Sequence, residues 1–342
     1  MERLTIRRPD DWHLHLRDGD MLRLVAPESR DFGRAVIMPN LVPPVATGDD
    51  ARAYRDRIVA AGFARPLMTL YLTEGTDPAD LVRAHAEGVI HAVKLYPAGA
   101  TTNSASGVRD IEAVRPVLAA MEEAGVPLCL HGEVTEASVD IFDREAAFLD
   151  RVLTPLRAAH PGLKLTLEHV TTKDAVEWVR AHPGVGATIT AQHLASNRND
   201  MLAGGMRPHF YCLPILKRRT HQEALRAAAT SGPGSFFLGT DSAPHPLHAK
   251  EAGCCAAGCF TAPHALPLYA QVFEEEDALD RMEAFAALNG PAHYGLAPNE
   301  DTVTLVRGEP AAWPERIAGH GHQVTLFDPG WPLRWRVEAR EG

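Results

Sequence analysis

Eight short apolar runs recur along the chain with helix-like segments between them, and this alternation restricts the possible folds more than any other feature. Runs that are rich in Val, Ile, Leu and Tyr and bounded by polar segments indicate buried strands. The predicted strands cover 11–16, 34–38, 67–72, 90–95, 126–131, 163–169, 186–190 and 235–240. Strands that alternate with helices form a parallel sheet with both faces covered.

The connecting segments predict the helices. Helical patterns cover 49–61, 110–124, 172–181 and 219–230, and several of them open with an Asp or Thr that can act as N-cap. Strand, loop and helix repeat about every 25 to 40 residues, which is typical of a TIM (β/α)8 barrel. The alternative is an open doubly wound sheet, but its usual G-x-G-x-x-G does not follow the first strand. We therefore predict an α/β TIM barrel of the metal-dependent hydrolase type.

A length of 342 residues fits one domain, because such barrels routinely run past about 200 residues as a single unit. We expect a single domain over 1–342, with the barrel over about 10–295 and a C-terminal extension over about 296–342, where Pro, Trp and charged residues become frequent. Two segments interrupt the repeat, 96–107 and 191–217. Loops at the C-terminal ends of barrel strands commonly carry function.

The charge of the chain excludes several classes of partner. A formal net charge of -10 and a pI near 5.9 argue against a nucleic-acid groove or a polybasic membrane face. The N-terminal MERLTIRRPDDW is charged where a signal peptide is apolar, and no stretch approaches the roughly 18 apolar residues of a membrane span. We expect a cytoplasmic protein that binds neither nucleic acid nor membrane, although a locally positive site could bind an anionic small molecule.

The five cysteines are an odd number, and Cys254, Cys255 and Cys259 lie close together. In a reducing cytosol they are expected to be free thiols rather than disulfides. A zinc ribbon would need a second spaced pair, which the sequence lacks. Cys129 and Cys212 lie in apolar runs and are expected in the core.

The segment DWHLHLRDGD contains the first candidate ligands. Side chains alternate along a strand, so His13, His15 and Arg17 are expected on one side and the intervening residues on the other. A lone histidine is more often structural, but H-x-H at the end of a strand is a recurring metal-ligand spacing. The segment therefore predicts a metal site with an arginine beside it.

Lys94 stands inside the apolar strand of HAVKLYP. An unpaired buried ammonium is costly enough to lose its proton. A neutral lysine can react with carbon dioxide to give a carbamate, a carboxylate-like anion able to bridge two metals. The alternatives are an ordinary ion pair and a Schiff-base lysine of an aldolase-type barrel.

Three further candidates end later strands. His131 ends the fifth strand and His169 the sixth, and Lys94, His131 and His169 are spaced by 37 and 38 residues, about one barrel unit each. Asp241 ends the eighth strand in FFLGTDSAPH, with His245 just after it. A carboxylate there could be a helix cap, but in a closed barrel it would lie beside the first strand and its histidines.

The six side chains together predict a two-metal centre. We assign His13, His15 and Asp241 to one metal and His131 and His169 to the other, with carbamylated Lys94 spanning both. Such N and O ligand sets usually hold zinc, and two ions about 3.5 to 4 Å apart can share a bridging hydroxide. We expect two zinc ions per chain.

The motifs that surround these residues closely resemble those of the dihydroorotase family, specifically the single-function bacterial type within the amidohydrolase superfamily. The resemblance runs from about residue 10 to about residue 295. It is carried by DDWHLHLRDG, VIMPNLVPP, KLYPAGATTNS, LHGEV, EHVTTKDA, RPHFYCLPILKR and LGTDSAPH. The sequence departs from the family in CCAAGC, near Ala257, and in the tail after 300, and neither departure touches the predicted metal ligands.

The resemblance implies roles for residues outside the metal centre. Arg17, Asn40 and His245 match positions that hold the substrate carboxylate, and Leu213 and Ala257 match positions that contact the pyrimidine ring partly through backbone atoms. Thr101 and Thr102 match a mobile loop that closes over substrate. Family members of this type are similar in being homodimers. Without the resemblance, Asn40 could be a turn former and the two threonines could belong to an ordinary flexible loop.

The implied reaction is the reversible cyclisation of N-carbamoyl-L-aspartate to L-dihydroorotate with loss of water, in de novo pyrimidine (UMP) biosynthesis. In the ring-opening direction the zinc ions would polarise the ring carbonyl, the bridging hydroxide would attack it, and Asp241 would pass the proton to the departing amide nitrogen.

Several other amidohydrolases are alternatives. A hydantoinase, dihydropyrimidinase or allantoinase would share the metal ligands but has less need of a carboxylate clamp. A phosphotriesterase has a neutral substrate, which offers no anionic group for an arginine beside the metal to bind. A non-catalytic scaffold of the same fold would be expected to lack some ligands, and here the set is complete.

Overall fold

Eight parallel strands form a barrel at the centre of the computed structural model, which describes residues 2–310 and 313–338. The strands in chain order are β1 Arg3–Arg7, β2 Asp11–Leu14, β3 Ala35–Ile37, β4 Pro66–Tyr71, β5 Ala92–Leu95, β6 Leu128–His131, β7 Leu165–Glu168, β8 Gly186–Ile189, β9 Phe236–Leu238, β10 Thr302–Arg307, β11 Arg316–Gly319, β12 His322–Thr325 and β13 Trp335–Val337. The barrel runs in the order β2 to β9, each strand parallel to the next. All eight barrel strands coincide with predicted ones, and the TIM-barrel prediction is confirmed.

Helices connect the barrel strands. They are α1 Gly19–Val25, α2 Gly48–Ala60, α3 Pro78–Ala86, α4 Arg115–Ala124, α5 Arg144–Phe148, α6 Thr154–Ala159, α7 Lys173–Ala181, α8 Ala191–Ala195, α9 Arg198–Leu202, α10 Arg219–Ala229, α11 Leu247–Lys250, α12 Ala265–Glu275 and α13 Asn289–Tyr294. Short 3-10 turns cover Ala26–Ser29, Ile111–Val114, Pro208–Phe210, Ala262–His264 and Leu279–Arg281, and π-helical turns cover Leu149–Leu153 and Ala284–Leu288. The four predicted helices are confirmed as α2, α4 with its preceding 3-10 turn, α7 and α10.

Side-chain caps fix where the predicted helices begin. Thr47 accepts a hydrogen bond from the backbone N–H of Asp50, whose carboxylate accepts in return from the Thr47 N–H, so α2 opens with a capping box. Thr172 caps α7 by accepting from the Ala175 N–H. The cap of α7 lets this helix begin soon after β7, whereas a longer loop, 38–47, separates β3 from α2 and carries Asn40.

Backbone and carboxylate contacts close the barrel between β2 and the residues that follow β9. The Asp241 N–H donates to the His13 carbonyl at 2.8 Å, and the His15 N–H donates to the Ser242 carbonyl at 3.2 Å. The buried carboxylate of Asp11 accepts from the Thr240 N–H at 2.8 Å and from its hydroxyl at 2.6 Å. These contacts, which form the seam of the barrel between β2 and residues 240–242, place Asp241 beside His13, as expected if the first and eighth barrel strands are neighbours.

Aromatic side chains close the other end of the barrel. The pairing of β2 with β3 is irregular between Asp11 and Leu14, and Trp12 does not share a cluster with Leu14 and Leu16 as strict alternation would predict. Its ring stacks on that of Tyr294 with centroids 4.6 Å apart. Phe237 packs edge-on against the same indole at 6.1 Å. Gly290 is required here, because a Cβ at this position would lie 1.9 Å from Trp12 Nε1.

The two ends of the described chain meet in a second, antiparallel sheet. β10 pairs with β1 on one side and with β13 on the other, while β11 and β12 form a separate hairpin. No strand was predicted over 3–7, because this segment begins and ends with a charged residue. In the structure β1 is mostly exposed and pairs only with β10, some 300 residues later. None of the described helices is both long and apolar enough to cross a membrane.

The five cysteines, all within the described residues, are free thiols. Cys129 and Cys212 are buried, as predicted, and Cys254 is exposed.

Candidate metal centre

Three ligand atoms form a small triangle where the first and last barrel strands meet. Nε2 of His13 lies 3.3 Å from Nε2 of His15 and 3.4 Å from Oδ1 of Asp241. The third side, from Nε2 of His15 to Oδ1 of Asp241, measures 3.1 Å. A tetrahedral zinc ion with bonds of about 2.0 to 2.1 Å would hold its ligand atoms about 3.3 Å apart. The triangle therefore has the dimensions of one face of a metal coordination shell.

Two more imidazoles adjoin this triangle. The ring of His169 lies 4.9 Å from that of His13 and 4.8 Å from that of His131, measured between centroids. Ligand atoms of His13, His169 and Asp241 all lie within 4.8 Å of one another. The structure thus gathers the four predicted histidines and the aspartate at one end of the barrel.

Lys94 lies in β5 beside Cys129 of β6 and is fully buried. Its Nζ has no hydrogen-bond partner within residues 2–310 and 313–338. Burial lowers the pKa of Lys94, although the charges of Glu168 and Asp241 oppose the shift. A buried neutral amine with no partner is the form of lysine that can react with carbon dioxide.

The protonation states suit metal binding. Burial lowers the pKa of His13 and takes the pKa values of His15 and His169 well below the usual range, so these imidazoles are neutral. A neutral imidazole is the form that coordinates a metal. Burial raises the pKa of the Asp241 carboxyl. Imidazole nitrogens, a carboxylate and an unpartnered buried amine form a donor set that fits a divalent metal.

Three of the candidate residues have left-handed backbone conformations. The φ angles are 58° at Arg17, 40° at His169 and 44° at Asp241. Residues other than glycine rarely adopt this region, and such conformations cluster where function requires a particular side-chain direction. Because β2 ends at Leu14, this turn, rather than strand alternation, directs Arg17 toward the site.

Arg17 and His245 form a polar cluster next to the candidate metal ligands. Nη2 of Arg17 lies 3.0 Å from Nε2 of His245, which also lies 2.9 Å from the Ala257 carbonyl. An unprotonated Nε2 can accept from the Arg17 N–H, whereas a protonated Nε2 would donate to the Ala257 carbonyl and face the guanidinium N–H. The pair places a guanidinium and an imidazole side by side, an arrangement that can bind an anion.

The loop after β5 covers this cluster. The Asn40 side-chain amide donates to the Thr102 carbonyl at 3.0 Å, and the Thr102 hydroxyl donates to the Ala257 carbonyl at 3.2 Å. Thr101 instead stabilises the loop itself, because its N–H donates to the Ser104 hydroxyl at 2.8 Å. Asn40, Thr102 and Ala257 therefore belong to one contact network, while Thr101 supports the loop.

Leu213 lies beside the same network through its neighbours. The Gly258 N–H donates to the Tyr211 carbonyl at 3.0 Å, which sets the segment before Leu213 against the segment that carries Ala257. Leu213 is partly buried and packs against the core.

Two buried carboxylates that sequence reasoning missed contact the histidines. Glu168 Oε2 lies 2.9 Å from His13 Nδ1, and Glu133 Oε2 lies 2.9 Å from His131 Nε2. Glu168 lies in EHVTTKDA and Glu133 in LHGEV, two of the motifs that carry the family resemblance. The available signal was a glutamate at the end of an apolar barrel strand, as Glu168 is in β7, or just after one, as Glu133 is after β6, because a buried carboxylate needs a partner.

The comparisons with known proteins agree with this geometry. The model of the amidohydrolase family matches residues 10–302. The dihydroorotase of Ruegeria pomeroyi is 66% identical, over 98% of either chain. The crystal structure of the Campylobacter jejuni dihydroorotase superposes with a TM-score of 0.90 at 38% identity, covering 98% of both chains. The dihydroorotase of Saccharomyces cerevisiae, solved in complex with 5-fluoroorotic acid, gives 0.91 at 34% identity over 99% of both chains. The chain therefore belongs to the amidohydrolase family and, within it, to the dihydroorotases.

Proposed function

We propose that this dihydroorotase acts through two zinc ions held by six side chains. His13, His15 and Asp241 would bind one ion, His131 and His169 the other, and a carbamate on Lys94 would bridge them. The observation that carries the proposal is the triangle of His13, His15 and Asp241 atoms, with sides of 3.1 to 3.4 Å. The buried Nζ of Lys94, which lacks a hydrogen-bond partner in the described part of the chain, supports the bridge.

The activity is the reversible conversion of N-carbamoyl-L-aspartate to L-dihydroorotate with loss of water. When bound, the zinc ions would polarise the ring carbonyl and lower the pKa of the attacking water. Asp241 is the candidate for proton transfer, because its carboxylate belongs to the ligand triangle and burial raises its pKa, which makes it a better proton acceptor. In ring opening it would take the proton of the attacking water and deliver it to the departing amide nitrogen, and ring closure would reverse both transfers.

The substrate carboxylate would bind between Arg17 and His245, with Asn40 as a further donor. A carboxylate can accept hydrogen bonds from the Arg17 guanidinium and from a protonated His245 Nε2, two groups that lie 3.0 Å apart. Backbone atoms of Leu213 and Ala257 would contact the ring, and the loop with Thr101 and Thr102 would cover it. The yeast relative was solved with 5-fluoroorotic acid, a carboxylate-bearing pyrimidine, which is consistent with this class of ligand.

A hydantoinase, dihydropyrimidinase or allantoinase would use the same metal ligands on a different cyclic amide, so the test compares substrates. We would measure zinc per chain by elemental analysis and assay ring opening of L-dihydroorotate, hydantoin and allantoin. We expect two zinc ions and a preference for dihydroorotate of at least a hundredfold in kcat/KM. Comparable turnover of hydantoin would contradict the proposed carboxylate clamp, and zinc-free active protein would contradict the metal centre.

The proposal includes a cytoplasmic homodimer. The dimer is the assembly implied by the resemblance to the single-function bacterial enzymes, and light scattering after size exclusion would test it. Fractionation of the source cells would test the location. A monomer at micromolar concentration would contradict the homodimer, and enzyme in the membrane fraction would contradict the cytoplasmic location.

A further inference from the structure

We infer that Glu168 and Glu133 are positioning residues of the metal centre, each fixing one histidine so that its other ring nitrogen is available to a metal. This inference depends on the two-zinc centre proposed above. Neither glutamate is a candidate ligand, because each is joined to an imidazole nitrogen that it would hold protonated.

Glu168 orients His13. It ends β7 fully buried, and its Oε2 accepts from His13 Nδ1 at 2.9 Å and from the Thr188 hydroxyl at 2.6 Å. A carboxylate oxygen can only accept from the imidazole, so this contact fixes the proton of His13 on Nδ1. Nε2, the atom in the ligand triangle, is then left with its lone pair.

Glu133 orients His131 in the opposite sense. Its Oε2 lies 2.9 Å from His131 Nε2, and both side chains are buried, with exposures of 2% and 1%. Holding the proton on Nε2 leaves Nδ1 as the nitrogen available to a metal. The two carboxylates therefore select different nitrogens, Nε2 on the histidine from β2 and Nδ1 on the histidine from β6.

Thr188 connects this arrangement with a further ligand. Its hydroxyl donates to Glu168 and accepts from the backbone N–H of His169 at 2.7 Å. His169 has a left-handed backbone, a conformation that needs support from its surroundings. One short network thus fixes the ring of His13 and the backbone of His169, which belong to different metals in the proposed centre.

The chemistry of metal-bound histidine gives the expected size of the effect. A carboxylate on the second ring nitrogen fixes the tautomer and the ring orientation and makes the ligand more basic, and its loss typically lowers metal affinity or activity about 10-fold to 100-fold. Glutamine can still accept the hydrogen bond but carries no charge, whereas leucine removes both. A graded loss across Glu168→Gln and Glu168→Leu would distinguish orientation of the ligand from simple packing.

The experiment measures zinc affinity by chelator competition and the visible spectrum of cobalt-substituted protein. We expect Glu168→Gln to weaken one zinc site about tenfold and Glu168→Leu about a hundredfold. Glu133→Gln should weaken the other site about tenfold, and each variant should shift the cobalt absorption. The matched control is Glu122→Gln, because Glu122 Oε2 also lies 2.9 Å from a histidine, Nδ1 of His160, outside the metal centre. KM for dihydroorotate should stay within about twofold while kcat falls, since the variants leave Arg17 and His245 intact.

The possible results separate the two proposals. Unchanged zinc affinity and an unchanged cobalt spectrum in the Glu168 and Glu133 variants of a protein that binds two zinc ions would overturn this inference alone. Wild-type protein that bound no zinc would overturn the metal centre and this inference with it. If Glu168→Leu fails to fold, the two glutamine variants decide the question, because glutamine preserves side-chain volume.

Discussion

Nη2 of Arg17 lies 3.0 Å from Nε2 of His245, although 228 positions of sequence separate the two residues. Both follow strands that meet at the seam of the barrel, Arg17 after β2 and His245 after β9. Burial, together with the neighbouring charge of Arg17, lowers the pKa of His245 to about 2. Arg17 therefore supplies the positive charge of this pair, and a neutral His245 adds a donor or acceptor that can adapt to the ligand.

Arg17→Lys tests the carboxylate clamp. A lysine ammonium retains the charge but cannot offer the planar pair of donors that a guanidinium presents to a carboxylate. We expect kcat/KM for dihydroorotate to fall about 10-fold to 100-fold, mainly through a higher KM, corresponding to about 1.4 to 2.7 kcal/mol of binding. Arg57→Lys, in an exposed ion pair with Asp18, is the control. An unchanged KM in Arg17→Lys would remove Arg17 from the substrate site.

Lys94 leads to a prediction about carbon dioxide. If a carbamate bridges the metals, zinc added to metal-free protein should restore activity only where carbon dioxide or bicarbonate is present, because the neutral amine, which the lowered pKa of Lys94 favours, must first react with carbon dioxide. We would strip the metal with a chelator, reload zinc in degassed buffer with and without labelled bicarbonate, and follow activity and the carbon NMR signal. Equal recovery of activity in both buffers, with no labelled carbamate, would show that Lys94 is not carbamylated and would contradict the proposed bridge.

Asp241→Asn tests the proton transfer separately from metal binding. Asparagine retains an oxygen that can coordinate a metal but has no carboxylate to accept a proton. We expect kcat to fall about 100-fold to 10,000-fold, the usual contribution of a general acid or base, with little change in KM. Zinc must be counted in the same sample, since loss of the ion would lower kcat for another reason. A variant with both metals and near-normal turnover would refute the role of Asp241 in proton transfer.

The barrel and the clustering of the candidate metal ligands could be predicted because each leaves a local mark in the sequence. A buried parallel strand is an apolar run, and a histidine, lysine or aspartate that ends such a run stands out against it. β1 leaves no such mark, because it is short, charged and paired with residues at the far end of the chain. Glu168 and Glu133 were visible in their motifs, but their partners were not. A hydrogen bond between Glu168 and His13 depends on strand order and rotamer, which a single sequence does not report.

Gly290→Ala tests the packing below the metal centre. Alanine normally stabilises a helix interior by about 1 kcal/mol relative to glycine. At this position in α13, however, the added Cβ would lie 1.9 Å from Trp12 Nε1, so the indole or the helix must move. We expect a loss of about 1 to 3 kcal/mol in the free energy of unfolding, measured with denaturant. Gly234→Ala is the control, because its Cβ would have no atom within 4 Å. Equal stability of the two variants would mean that the Trp12 layer is loosely packed.

His264 predicts how stability depends on pH. Nε2 of this buried side chain donates to the Phe327 carbonyl at 2.7 Å and so attaches the C-terminal segment to the barrel. Burial lowers the pKa of His264 to about 4, while the unfolded chain has a histidine pKa of about 6.5. Between these values the unfolded state binds more protons, so stability falls as pH drops from about 6.5 to about 4 and the contribution of this residue levels off below that. His264→Gln can keep the hydrogen bond but does not titrate. The unfolding free energy of the variant should therefore fall by less than that of the wild type between pH 6.5 and 4, and the two decreases should differ by up to about 3 kcal/mol.

The measurement is urea unfolding of both proteins at pH values across this window, with the exposed His320→Gln as control. Parallel curves for wild type and His264→Gln would show that His264 does not contribute to the acid sensitivity.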